Sequence, residues 1–280
     1  MSGGASLMQA KQNKGHLQAS VDWRTRLNSS RFVRDQGACG SCWAIASIGA
    51  LESYVELAEK GTWKLPHSEL VNCMPNPHLC GGSGGCAGAT AELAFDFVKE
   101  HGLDVDERGA ATVDDCKKSS KGDRLVVDGF VQLPVNAGVP LMSAVATEGP
   151  VVVSVAASEW FSYHSGIFDG CSQDAVVNHA VLLVGYGQQK GEGRGGPYWL
   201  IRNSWGPHWG EAGHMRLLRH EEDAAYCGTD RDPQAGVGCA GGPPTITVCG
   251  MCGILSDSSY PVGVRLAAAG AVPALNVPEK

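Results

Sequence analysis

No apolar run in this 280-residue chain approaches the length of a membrane span, roughly 18 to 20 residues. Residues 1–20, MSGGASLMQAKQNKGHLQAS, lack the apolar core of a secretory signal. Basic residues are in the minority: 22 Lys and Arg stand against 29 Asp and Glu, a net charge of -7. Nucleic-acid binders usually carry a basic face, so that class is disfavoured. No internal repeat is visible, which sets aside solenoids and propellers.

What is present is a globular composition. Hydrophobic residues make up 43% and charged residues 18%, enough to bury a core in one large domain or two modest lobes. Cysteine is abundant and odd in number: 11, at positions 39, 42, 73, 80, 86, 116, 171, 227, 239, 249 and 252. Disulfide frameworks use even numbers, so one thiol is left over. The expectation is an oxidising compartment and one special cysteine. A reduced protein with scattered thiols or a zinc site is the alternative.

The texture changes along the chain. From Cys42, the residues Ala44, Ile48, Leu51, Val55 and Ala58 recur at helical spacing, and Lys60 with Gly61 supplies a stop. Short helices are predicted over 68–72 and 89–101, the latter with Leu93, Ala94, Phe97 and Val98 on one side. After residue 125 the runs VVVSV (151–155), AVLLVGY (180–186) and YWLIRN (198–203) read as strands, with one helix over 140–150. The division is a 1–18 extension or artificial remnant, a mainly helical lobe over 19–124, a mainly β lobe over 125–266, and a tail over 267–280. Residues 187–197 read as a flexible hairpin-like link and 220–250 as a long loop-like insertion with three cysteines. Clefts between lobes are common ligand sites.

The stretch QGACGSCWA (36–44) holds Cys39 and Cys42 in a C-x-x-C spacing. That spacing suits a redox pair, half of a zinc site with Cys249 and Cys252, or one structural thiol beside one reactive thiol. Cys42 sits at a predicted helix start, where unpaired N–H groups and the helix dipole favour thiolate. A thiolate nucleophile needs a histidine and a group to orient it. VVNHAVLLVGYG offers His179 before one strand, and YWLIRNSWGPHWG offers Asn203 at the end of the next. Adjacent strands would set the two side by side, with Trp205 covering their contact. The redox and zinc readings have no use for these blocks.

QGACGSCWA, NHAVLLVGYG and NSWGPHWGE together resemble the signature blocks of papain-like cysteine proteases, the cathepsin family. GCAGATAELAF and CGILSDSSYPV resemble two further blocks, so the likeness covers about 21–263. It implies an α+β, two-lobed papain-like fold, a helical lobe and an antiparallel β-barrel-like lobe with the cleft between. It implies Cys42 as nucleophile, His179 as base and acid, Asn203 as orienting residue, and Gln36 with the Cys42 N–H as oxyanion donors. Trp205 resembles the shield of the His–Asn pair and Trp209 a wall on the leaving-group side. No metal or other cofactor is implied. Implied partners are peptide or protein substrates, an inhibitory prosegment and cystatin-like inhibitors, around a monomer in a lysosome, vacuole or secreted setting. One glycosylation sequon starts at Asn28.

The resemblance also implies bridges Cys39–Cys86, Cys73–Cys116 and Cys171–Cys252. The remaining Cys80, Cys227, Cys239 and Cys249 allow three pairings. A local bridge within 220–250 is favoured by short loop closure, which leaves Cys80 to reach the insertion. Gly88 and Ala89 are expected to pair with the substrate strand. Thr90, Ala91, Ser154 and Ala180 are expected to line the pocket for the second residue before the cut (P2), with Asn178 beside them and Asp257 at its floor. Asp257 is expected to admit a basic P2 side chain; pointing into solvent is its alternative. The activity expected is an endopeptidase. An exopeptidase of the same family and a catalytically silent, disulfide-rich binding protein on this fold are the alternatives.

Overall fold

The computed structural model describes residues 17–106, 112–113, 116, 122–190, 195–222 and 225–268. Its central element is α1, Cys42–Glu59, a run with no proline that ends where Lys60 turns left-handed at φ 57°. The spacing predicted one apolar face. Instead α1 is buried on nearly all sides from Trp43 to Ser53, while Ala58 at its far end is exposed. A helix buried all round lies inside the fold, not on its surface. Here it packs between α3 (Ala91–His101) and a sheet, after the short α2 (Ser68–Cys73). The last α-helix among the described residues is α4, Gly138–Thr147.

The strands in chain order are β1 (Val21–Asp22), β2 (Leu103–Asp104), β3 (Arg124–Val126), β4 (Gly129–Gln132), β5 (Val151–Val155), β6 (Ile167–Phe168) and β7 (His179–Gln189). They continue with β8 (Gly196–Arg202), β9 (His214–Leu218), β10 (Cys227–Asp230), β11 (Ile246–Cys249), β12 (Ser258–Val262) and β13 (Arg265–Ala267). The main sheet runs β4-β12-β5-β7-β8-β9-β6, with β1 added to β7. All of these pairs are antiparallel except β6 with β9. A second sheet has the order β13-β3-β2, and β10 pairs β11 alone.

Two apolar cores result. One gathers α1, α3 and one face of β7, through Ile48, Leu51, Phe95, Leu182 and Val184. The other fills the opposite face of the sheet, through Val153, Trp160, Leu183, Ile201 and Met215. Each such aliphatic side chain adds roughly 1.5–3 kcal/mol when fully buried. The two halves of the chain exchange their ends. Val21, Trp23 and Leu27 near the start belong to the second core, and β13 near the end joins the small sheet beside α3. A division at residue 124 therefore does not follow the packing at either terminus.

Two expected loops are structured. β7 and β8 keep their ladder out to Gln189 and Gly196, so both ends of the 187–197 link are strand, as a hairpin requires, with 191–194 outside the described residues. The 220–250 insertion contains the β10–β11 ribbon, Cys227 opposite Cys249, followed within its loop by a 3-10 turn at Pro233–Ala235. Cross-strand pairing supplies backbone partners that a pure loop would have to find in water. Residues 1–16 of the expected extension and 269–280 of the expected tail lie outside the described residues.

Candidate active site

Local structure fixes Cys42 first. Ser41, the residue before α1, gives no side-chain cap to the helix. The first-turn N–H groups of an eighteen-residue helix therefore remain for another acceptor. The Cys42 sulfur takes one, from Trp43, along with a hydrogen bond from the Ala180 N–H. Cys39, three residues earlier, is bridged to Cys86 with S–S 2.06 Å. That bridge holds the turn against the Gly40 N–H, which donates to the Cys86 carbonyl at 2.9 Å.

The sheet register fixes the partners. β7 and β8 set Leu182 opposite Arg202. Continued by three residues, the same register puts His179 opposite Trp205, with Asn203 its diagonal neighbour on the same face. His179 Nε2 lies 2.8 Å from Asn203 Oδ1, and the imidazole is 6% exposed. Since Oδ1 accepts, Nε2 carries the proton, and the other ring nitrogen is left to the hydrogen bond with Cys42.

Electrostatics reinforce the pair. Burial pushes the Cys42 thiol up, but the hydrogen bond and charge of His179 outweigh it and hold the thiol below its ordinary range. Burial pushes His179 down, but the Cys42 charge and the bonds to Cys42 and Asn203 leave it raised. Each partner thus favours the charged form of the other, a thiolate beside an imidazolium.

Gln36 faces this pair from the loop before α1. Its Nε2 donates to the Cys39 carbonyl at 3.0 Å, which uses one of two amide hydrogens. Ser204, which the sequence reading passed over, ties Gln36 to the histidine partner. Its N–H donates to Asn203 Oδ1 at 2.8 Å, its hydroxyl donates to Gln36 Oε1 at 2.6 Å, and its carbonyl accepts the Gln36 N–H at 2.8 Å. Ser204 stands inside the NSWGPHWGE block, but nothing in that block says that its hydroxyl reaches Gln36.

Aromatic rings close the site. Trp205 lies 5.2 Å from the His179 ring and Trp160 meets the same ring edge-on at 6.4 Å. Phe161, 76% exposed, stacks flat on Trp205 at 4.8 Å. Trp160 and Phe161 were also missed, since neither stands near a motif. Trp209 packs on Trp160 and Trp205 and donates to the Trp160 carbonyl at 3.2 Å.

Two cavities flank the Cys42–His179 pair and share Gln36, Asn178 and His179. One, of about 260 Å³, is lined by Gly88, Ala89, Thr90, Ser154 and Ala180 among others. The other, of about 310 Å³, lies by Gly37, Ala157, Phe161 and Trp205. Ala91, Trp209 and Asp257 line neither cavity. Ala91 is instead buried at the start of α3, and Trp209 supports Trp205 from the side.

Asp257 is partly buried behind Ser154, which lines the first cavity. Ser154 stands opposite Ala180 across β5 and β7, and the Ser154 N–H donates to the Asp257 carbonyl at 3.0 Å. The Ser154 hydroxyl donates to Asp257 Oδ2 at 2.7 Å. Burial pushes Asp257 up. Glu92, in the first turn of α3, accepts from the Ser259 hydroxyl at 2.5 Å. Burial, and then the nearby Asp257 charge, push Glu92 up to about 7.

The structure pairs Cys73 with Cys116, Cys171 with Cys252, Cys227 with Cys249 and Cys80 with Cys239. With Cys39–Cys86 these leave Cys42 as the free cysteine. Among the described residues no group of His, Cys, Asp and Glu has the geometry of a metal site, and no helix is long and apolar enough to cross a membrane.

Residues 17–237 match the family model described as papain family cysteine protease. The chain is similar to the probable cysteine protease RDL3 of Arabidopsis thaliana, 41% identical over 211 residues, covering 73% of this chain and 54% of that protein. It is also similar to cathepsin S of Mus musculus, 36% identical over 220 residues, covering 75% and 63% of the two. The chain thus spans between half and two thirds of the length of these relatives. Recombinant stem bromelain precursor has a similar structure, with TM-score 0.66 at 27% identity, covering 89% of this chain and 72% of that one. A Carica candamarcensis cysteine protease in complex with E-64 gives 0.63 at 29%, covering 88% and 99%. The fold is papain-like.

Proposed function

Because the chain belongs to the papain family of cysteine proteases, we propose that it hydrolyses peptide bonds with Cys42 as nucleophile, His179 as acid and base, and Asn203 as the positioning partner of the imidazole. The observation that carries this reading is the hydrogen-bonded sequence from the Cys42 sulfur through His179 to Asn203.

The thiolate attacks the peptide carbonyl and forms a C–S bond. The carbonyl oxygen takes the negative charge, held by the Cys42 N–H and the second Gln36 amide hydrogen. Donors of this kind are worth about 10²–10³ in rate. The C–N bond breaks as His179 gives its proton to the leaving amine. Water then attacks the thioester and passes a proton to His179. The C–S bond breaks and the thiolate–imidazolium pair is restored. Each step uses only groups of this chain and water.

Selectivity is assigned to the cavity between Gly88–Thr90 and Ser154, which would take the P2 side chain. The Asp257 carboxyl behind Ser154 favours a basic P2. A peptide library varied at P2 tests this: indifference to arginine, unchanged by Asp257→Ala, removes the assignment. Substrates are peptides or proteins, and an inhibitory prosegment or a cystatin-like protein would occupy the same cleft. Five disulfides suit an oxidising setting such as a lysosome, vacuole or the exterior.

The test of the peptidase reading is alkylation. Iodoacetamide should label Cys42 once per chain, and loss of turnover on a fluorogenic peptide should track that labelling. An unlabelled Cys42 with no turnover ends the reading in favour of a silent binding protein.

A further inference from the structure

The two cavities beside Cys42 end differently. The one by Phe161 and Trp205 contains no residue of the 220–250 insertion. The one by Gly88 and Ser154 is also lined by Ala235, Gly236 and Val237, from the tip of that insertion. These residues form a strap that reaches both sides of the cleft.

On the sheet side the Val237 N–H donates to the Val177 carbonyl at 2.9 Å. Gly236 approaches the same carbonyl so closely that a Cβ there would lie 2.0 Å from it. On the helical side the Gly238 carbonyl accepts the Gly81 N–H at 3.0 Å, the Ala240 N–H donates to the His78 carbonyl at 3.0 Å, and Cys239 is bridged to Cys80. The base is also held. Buried Asp230 accepts from the Val177 N–H at 3.0 Å and the Asp232 N–H at 2.9 Å, beside the Cys227–Cys249 bridge.

The strap stands close behind the expected substrate-pairing edge. Gly81, which it holds, packs so near Ala89 that a Cβ on Gly81 would lie 2.6 Å from the Ala89 carbonyl oxygen. An extended peptide advances about 3.3 Å per residue. With its second residue at Gly88–Ala89, residues further upstream would run into strap backbone. Three attachments and a disulfide leave that backbone little freedom to give way.

We propose that the strap ends the cleft on the acyl side, so that this enzyme takes peptides by their free amino end and releases pieces of about two residues. The inference rests on the peptidase reading above, because the acyl side is defined by attack from Cys42. In this mechanism the thioester carries the amino-terminal fragment. The remainder of the substrate leaves through the cavity by Trp205, where nothing from the insertion stands.

The experiment uses the full chain and one ten-residue peptide in two forms, with a free or an acetylated amino terminus. Products are identified by mass spectrometry, and Cys42 is counted by iodoacetamide labelling in the same preparation. Successive dipeptides from the free form, with at least tenfold slower turnover of the acetylated form, support the proposal. A Cys80→Ser/Cys239→Ser variant that retains Cys42 labelling should then gain internal cuts in the acetylated peptide. Internal cleavage of both forms at equal rates by the unaltered chain overturns the strap proposal and leaves the thiol peptidase standing. No cleavage together with no labelling overturns the peptidase reading itself.

Discussion

Ser204→Ala isolates one link of the site. Ser204 makes three contacts that join the His179 partner to the oxyanion donor, and two of them are backbone bonds that alanine retains. The substitution removes only the hydroxyl bond to Gln36 Oε1. A net hydrogen bond of this kind is worth about 0.5–1.5 kcal/mol, which corresponds to a fall of about two- to twelvefold in kcat. Loss of the Gln36 amide itself costs about 10²–10³, so the Ser204 effect must be the smaller one. The loss should appear in kcat and not in KM, because Ser204 acts on the donor of the developing oxyanion and lines neither cavity. The decisive assay is a double-mutant cycle on a fluorogenic peptide. If Ser204 acts through Gln36, then Ser204→Ala should change nothing once Gln36 is alanine. An equal fall in both backgrounds would refute the reasoning and make Ser204 a general structural residue.

Other expectations follow from the same contacts. The pH profile of kcat/KM on a fluorogenic peptide should be bell-shaped: thiolate is present above the lowered thiol pKa, and the imidazolium that protonates the leaving amine is lost above the raised His179 pKa. Asn203→Ala removes one bond that raises His179, so the basic limb should move to lower pH; an unmoved limb would deny Asn203 that role. Glu92→Gln should stabilise the fold at high pH. Burial raises the folded Glu92 from 4.5 to about 7, so its ionised form costs stability that is absent below 4.5 and fully felt above about 7. Urea unfolding of a Cys42→Ala background at pH 8 and pH 4 should show the gain at pH 8 only.

Legibility in the sequence followed the length of the pattern. α1 was readable because eighteen residues carry no proline before Lys60. Its burial on all sides was not, since no window of sequence shows that β7 and α3 cover its two flanks. His179 and Asn203 were readable as the ends of two apolar runs, and strand pairing converts those ends into neighbours. Ser204 and Trp160 were not, because their roles come from contacts across 168 residues to Gln36 and from ring geometry about His179. Asp257 was expected at the floor of the P2 pocket, and its hydrogen bond with Ser154 could not be read from the sequence. The Ser154 hydroxyl, a neighbour only after β12 joins β5, turns its carboxyl inward.

The insertion shows why composition misleads about such segments. HEEDAAYCGTDRDPQAGVGCAGGPPTITVCG reads as loop because glycine, proline and charge dominate it. Its order comes from elsewhere: a cross-strand disulfide at the base, a buried aspartate that takes two backbone N–H groups, and a bridge to a cysteine 159 residues earlier. The glycines then acquire a different meaning. Gly236 and Gly81 are small because backbone passes within contact distance of Val177 and Ala89. A mobile loop has no need of close approach at two fixed points on opposite walls of one cavity, whereas a rigid end to that cavity does.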